Sequence, residues 1–265
     1  MGSVAKPVAV ESVLRSLGLE TALAPRITDW YDDFAAALAN FRKDPSVHRR
    51  GKESAVAFSG TVRPILDALR LRPADGLLSA MVSHEADPFT DEQAIANALI
   101  ILFGGIETTE SMIADSVFAL LHHPDAWARL RRDPSLRDGA IEEALRWTTP
   151  VQSCTRYATR TVRLGGVEIE AGEIVQGMLG AANRDPARFT DPDRLDITRP
   201  NASDHLGFGT GRHLCLGAPL ARLETRTVLD ALLDDRRSVA LDASRPARLR
   251  GYEFRKPTDL WIVWN

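Results

Sequence analysis

Between Ala98 and Ile106 the chain reads Ala-Leu-Ile-Ile-Leu-Phe-Gly-Gly-Ile, with neither strand-like alternation nor a one-sided helical stripe. A helix that is apolar all round needs cover on every side. Just upstream, Thr90-Asp91-Glu92-Gln93 has the form of a capping box. No proline follows until Pro124. The pattern therefore predicts one helix over residues 91–122, about 32 residues and about 48 Å long. Before it, Trp30, Phe34, Leu38 and Phe41 fall on one helical face, with Thr28 as the expected cap. Pro45 breaks that pattern, and a further helix is expected from about Glu53 to Leu71 with Pro64 at its start or at a kink. Leu77, Leu78 and Met81 mark a short helix. After Pro150 the period changes. Val162 to Ile169 alternates around Gly165-Gly166 and reads as a hairpin, and Asp259 to Trp264 reads as a strand. Leu220, Leu223 and Leu232 line one side of a helix between them. The expected class is mainly α with small β-sheets.

Composition narrows the picture only a little. The 265 residues are 44% hydrophobic, enough for a sizeable core, and the formal net charge is −3. That charge gives no electrostatic case for nucleic acid or an anionic membrane. The longest apolar run is interrupted at Asn97 and ends at Glu107, below the roughly 18 residues of a membrane span. The first residues show no apolar signal-peptide region. Two cysteines, Cys154 and Cys215, form no disulfide framework and fit a reducing, cytoplasmic setting.

One cysteine stands apart. Residues 206–217 read Leu-Gly-Phe-Gly-Thr-Gly-Arg-His-Leu-Cys-Leu-Gly and run into Ala218-Pro219, a helix start. Glycines at 209 and 211 allow backbone angles closed to other residues. Cys215 lies just ahead of the helix, where unpaired N–H groups and the dipole favour a thiolate. A dinucleotide fingerprint does not fit, because the glycines at 207, 209 and 211 do not make G-x-G-x-x-G. Structural zinc fits poorly, since there is no C-x-x-C pair. His205, His213 and Cys215 match no common metal spacing. The plain alternative is a small buried cysteine in an ordinary glycine loop.

This stretch resembles the haem-ligand loop of cytochromes P450, Phe-Gly-x-Gly-x-x-x-Cys-x-Gly, with Phe208, Gly209, Gly211, Cys215 and Gly217 filling all five positions. The resemblance implies haem b, with iron bound by Cys215, Phe208 packed on the ring beside the sulfur, and His213 on a propionate. Gly104-Gly105-Ile106-Glu107-Thr108 resembles the family's distal helix. By that likeness Gly104 and Gly105 make room for dioxygen, while Glu107 and Thr108 relay protons. Glu143 and Arg146 resemble the family's buried E-x-x-R pair, with Arg199 as its downstream partner, a structural set. Arg156 aligns with a propionate-binding strand residue, and Val151, Gln152 and Ser153 with a substrate-facing loop. Leu195 stands where an aromatic is usual in the family, so a different packing is expected there.

The fold so implied is a truncated cytochrome P450 fold in a single domain over 1–265, with lid-type helices over 1–89 and a haem-binding core over 90–265. It lacks the family's segment before the lid. The implied activity is a haem-thiolate monooxygenase acting on a small organic substrate of secondary metabolism, with a ferredoxin-type electron donor. Cover for the distal helix is expected from a homo-oligomer, from rearranged N-terminal helices or from a partner protein. Two alternatives stay open: a P450-derived protein without turnover, as an accessory subunit or cyclase-like catalyst, and one half of a split enzyme.

Overall fold

The computed structural model describes residues 2–40, 42–235 and 238–264. Phe41 lies outside them. The architecture is mainly helical with small two-stranded sheets. Contacts divide it into two compact units, Ser3–Glu110 and Ser111–Asn265 with the first two residues.

The first unit packs α1 (Ala5–Leu17), α2 (Ala24–Leu38), α3 (Pro45–Leu71), α4 (Leu77–Val82) and the first part of α5 (Asp91–His122). α1 stops at Gly18, whose φ is 78°, and Gly76 crosses it so closely that a Cβ at Gly76 would lie 2.6 Å from the Gly18 Cα. Only glycine at both places permits that crossing. α2 begins four residues before Thr28, with a proline in its first turn, so Thr28 is no cap; its hydroxyl donates to Ala24 O at 2.8 Å. α3 begins at Pro45 instead of breaking there. Asp44 caps it by accepting from Ser46 N at 2.8 Å, and proline suits the first turn because its missing N–H has no partner to lose. The helix runs on through Pro64.

The capping box of α5 is formed: Gln93 N donates to Thr90 Oγ1 at 3.2 Å and Thr90 N to Gln93 Oε1 at 2.9 Å. The helix covers 32 residues. Its expected all-round burial over 98–106 is not found. Ala94, Ala98, Leu102 and Ile106 are fully buried at four-residue spacing against Leu14, Ile27, Phe58 and Leu66, whereas Ile100 is 69% exposed. Trp30 and Phe34 stand edge-on to Phe58 at 6.1 and 6.5 Å, but Leu38 points to solvent.

In the second unit α5 is buried at every position from 111 to 121, although Ser111, Asp115 and Ser116 lie in that stretch. It is followed by α6 (Pro124–Arg132) and α7 (Arg137–Thr148). Strands β1 (Cys154–Tyr157) and β4 (Ile174–Gly177) pair antiparallel, with Cys154 opposite Gly177. The hairpin β2 (Val162–Leu164) and β3 (Val167–Ile169) turns on Gly165 and Gly166, both at positive φ, as a two-residue hairpin loop needs. After α8 (Leu179–Ala182) a long irregular stretch leads to α9 (Ala218–Asp234). β5 (Val239–Leu241) pairs with β8 (Ile262–Trp264), and β6 (Leu249–Arg250) with β7 (Lys256–Pro257). α9 buries Ala221, Thr225, Val228, Leu229 and Leu232; Leu223, expected on the same side, is 57% exposed. Leu195 packs with Ala119 and Ala144, and with Trp147 beside them. Among the described residues no helix is long and apolar enough to cross a membrane.

Candidate functional site

Asn183 organises the start of the cysteine loop. Its amide is fully buried, accepts from Leu206 N at 2.7 Å and donates to Thr149 Oγ1 at 2.9 Å. Gly207 then passes so close to α7 that a Cβ would lie 2.9 Å from Leu145 Cγ. The loop closes on itself through Cys215 N donating to Phe208 O at 3.0 Å and Gly209 N to Leu206 O at 2.9 Å. Gly209 and Gly211 both take φ of 71°. Residues 211–217 are exposed, Cys215 among them. Cys215 is thus no core cysteine: its sulfur stands at the surface, three residues ahead of α9, with Gly217 as the N-cap.

A basic side chain accompanies it. Arg222 of α9 sits over the Phe208 ring, 4.4 Å from its centroid, and near Cys215. Its Nε and one terminal nitrogen donate to the two oxygens of Glu142 at 2.7 and 2.8 Å. His205 Nε2 lies 3.2 Å from the same carboxylate. Burial works against the Glu142 charge, but these two partners pull its pKa down to about 2. The hydrogen bond to Glu142 in turn raises that of Arg222.

Beneath this loop lies a second ionic cluster. Glu143 and Arg146 are each fully buried and meet through two hydrogen bonds of 2.7 and 2.8 Å. Arg199 Nε reaches the same carboxylate at 3.0 and 3.1 Å. Arg146 also donates to Asn183 O and Pro192 O, both at 2.8 Å, and Arg199 to Thr190 O at 2.6 Å. Two guanidinium groups therefore satisfy the carbonyls of an irregular stretch that makes no ladder of its own, the requirement for burying it.

Arg156 on β1 is exposed, with one donor on Thr155 O at 2.9 Å. Val151 bridges to Phe254. The polar groups of the next two residues are engaged within the unit. Gln152 Nε2 donates to Thr148 O at 2.9 Å, and Ser153 Oγ, in a residue 2% exposed, accepts from Gln176 Nε2 at 2.6 Å.

In the first unit, α5 carries Gly104, Gly105, Glu107 and Thr108. A Cβ at Gly104 would meet nothing within 4 Å, whereas one at Gly105 would lie 2.9 Å from Val13 Cγ2. Gly104 is open and Gly105 is filled by α1. The Thr108 hydroxyl donates to Gly104 O within its own helix. Glu107 Oε2 instead accepts from the Tyr31 hydroxyl of α2 at 2.8 Å.

The family model for cytochrome P450 matches residues 66–238. The chain belongs to the cytochrome P450 family. It is 40% identical to the cytochrome P450 monooxygenase PikC of Streptomyces venezuelae over 256 residues, which are 95% of this chain and 59% of PikC. It is 37% identical to the mycinamicin IV hydroxylase/epoxidase of Micromonospora griseorubida over 98% of the chain and 65% of that protein. The crystal structure of CalO2 superposes with a TM-score of 0.91 at 33% identity, covering 99% of this chain and 66% of that one. The chain thus spans about three-fifths to two-thirds of the length of these relatives. Proteins of this family bind haem b, and the residues present fit that group. Among the described residues no three His, Cys, Asp or Glu side chains gather as a metal site. A metal on the exposed Cys215 sulfur would have to bring its remaining ligands with it, as a porphyrin does.

Asn183, Glu142, Arg222, Val13 and Tyr31 are not singled out by any sequence pattern, and His205 serves Glu142 instead of a metal. Each acts through a contact distant in sequence, 80 residues for Arg222 with Glu142 and 76 for Tyr31 with Glu107. Glu142 stands beside Glu143 in the sequence, and this doubled acid was the only local signal for any of them.

Proposed function

We propose that this chain holds haem b through Cys215 and acts as a haem-thiolate monooxygenase on a small organic molecule of secondary metabolism, with electrons from a ferredoxin-type donor. One observation carries the reading: an exposed sulfur on glycine-bent backbone ahead of α9, in a chain 40% identical to PikC. When bound, the cofactor supplies dioxygen activation, which a thiolate ligand favours by donating electron density.

The protein's part is to hold and orient. Cys215 would ligate the iron through its sulfur, with the α9 N-terminus following and the Arg222 guanidinium nearby. Phe208, held from behind by Arg222, packs on the ring next to the sulfur. The exposed His213 and Arg156 donate to the propionates. Glu143, Arg146 and Arg199 are structural and keep the irregular stretch before the loop in place. On α5, Gly104 leaves room for dioxygen, and Glu107 and Thr108 hold and pass protons as general acids. Gly105 serves packing against Val13. Val151 faces the substrate, while Gln152 and Ser153 anchor the segment before β1 to Thr148 and Gln176.

An absorbance scan of the purified protein, with and without added haem, tests the reading. The expected result is a haem spectrum whose reduced, CO-treated form is that of thiolate ligation and is lost in Cys215→Ala. A protein that stays colourless overturns the proposal. Biological activity that survives Cys215→Ala would favour the accessory-protein alternative.

A further inference from the structure

Tyr31 belongs to α2 and Glu107 to α5, yet the phenol hydroxyl donates to Glu107 Oε2 at 2.8 Å. The tyrosine is 2% exposed and sits in the core beside Ile27 and Phe58. A hydroxyl at such a depth needs an acceptor, and a carboxylate makes the bond charge-assisted. Lys6 Nζ of α1 lies 5.7 Å from the ring centroid and is paired with Asp32 at 2.6 Å. Glu110 adds its negative charge from the next turn of α5. Burial first, then the Glu107 charge, hold the phenol proton on well above tyrosine's usual range. Tyr31 is therefore a donor at working pH and stays one. The neighbouring Thr108 hydroxyl is bound within its own helix, so of the two adjacent groups only the acid is tied to another element.

We propose that Tyr31 is a positioning residue that fixes the direction of the Glu107 carboxylate, so that the placement of α2 governs whether Glu107 can pass a proton. The inference rests on the proton-handling role given to Glu107 above. Physically, the hydroxyl commits one carboxylate oxygen toward α2. A shift of α2 breaks this bond and releases that oxygen from α2. α2 thereby gains a hold on the acid without touching any reacting atom.

Tyr31→Phe removes the hydroxyl and keeps the ring in the core. In a double-mutant cycle with Glu107→Ala, read by urea unfolding, Tyr31→Phe is expected to raise the unfolding constant roughly tenfold or more in the parent. In the Glu107→Ala background it should change that constant less than threefold. Equal effects in both backgrounds overturn the bond as a coupling. In haem-loaded protein, Tyr31→Phe is expected to lower product formed per reductant consumed at least severalfold, with KM and haem uptake unchanged, and adding Glu107→Ala should cause no further loss. A change in KM alone would show a packing role and overturn the positioning. Protein that takes up no haem overturns both the function and this inference, whereas haem uptake and turnover with product per reductant untouched by Tyr31→Phe overturns this inference alone.

Discussion

Asp115 offers the most direct test of the energetics, because it is a carboxyl group buried without a hydrogen-bond partner among the described residues. It is 1% accessible, in the part of α5 that is buried all round, and neither carboxyl oxygen has a hydrogen-bond partner among the described residues. The Thr148 hydroxyl beside it gives its proton to Ala144 O at 2.8 Å. Burial therefore pushes the Asp115 pKa well above the carboxylate range, and the Thr148 hydroxyl with the charges of Arg255 and Lys256 offsets only part of that. The sign follows directly. Above the unfolded-state value of about 3.9 the unfolded chain loses this proton while the native state keeps it. Stability is then greatest below that value and falls as pH rises, by up to about 1.4 kcal/mol for each pH unit until the native carboxyl itself ionises. Asp115→Asn has nearly the same shape and no charge to bury, so it lacks the slope. The assay is urea unfolding of both proteins at several pH values from 4 to 8, followed by tryptophan fluorescence. With a urea slope of about 2–3 kcal/mol/M, the parent midpoint should drop relative to Asp115→Asn by about half a molar per pH unit over the affected range. Other titrating groups are common to both proteins and cancel. Two midpoint curves that run parallel across the whole range would refute the reasoning, for they would mean that Asp115 has the same proton affinity folded and unfolded.

Four further outcomes are expected. Gly105→Ala should cost about 1–3 kcal/mol by overpacking against Val13 Cγ2, 2.9 Å away, and the added Val13→Ala should recover most of it; Gly104→Ala, where a Cβ meets nothing, should gain up to about 1 kcal/mol from helix propensity, both read as thermal midpoints. Glu143→Gln leaves Arg146 and Arg199 without the carboxylate they share and should cost about 3–5 kcal/mol; a loss under about 1 kcal/mol in urea unfolding would contradict a buried ionic lock. Glu142, held down to about 2, contributes stability that is complete above the ordinary glutamate range and is lost as pH falls toward 2, so Glu142→Gln should flatten the acid limb of the stability curve and leave the neutral limb's slope unchanged. Cys215→Ala should abolish haem uptake without lowering the stability of the haem-free protein by more than about 1 kcal/mol in urea unfolding, because an exposed side chain holds no core together.

Much of the local structure was legible from residue patterns because it rests on interactions a few residues long. The capping box at Thr90 and Gln93, the run of α5 from there to the turn before Pro124, and the Gly165-Gly166 hairpin all formed where the sequence put them. Each is decided by backbone hydrogen-bond satisfaction and allowed φ within a single turn or helix. The same reasoning misplaced the start of α3, since a proline that ends one helix can equally open the next. The Phe-Gly-x-Gly loop ahead of α9 was visible as a string of residue types. That its cysteine lies at the surface, with Arg222 beside it, was not.

What the pattern misjudged was burial. Residues 98–106 look apolar on every face, yet Ile100 is exposed, and the fully buried stretch is 111–121, which includes a carboxylate and two serines. Hydrophobicity says which side chains would gain from cover, not which of them receive it; that depends on the other elements that arrive, and those come from elsewhere in the chain. Val13 closing on Gly105, Tyr31 on Glu107 and Glu142 on Arg222 are contacts of this kind. Sequence alone determined the helices, the turns and the identity of the groups able to do chemistry. Tertiary structure decided which of those groups are held, by whom, and at what cost in desolvation, because contact energies depend on distance in space and the chain order records only distance along the backbone.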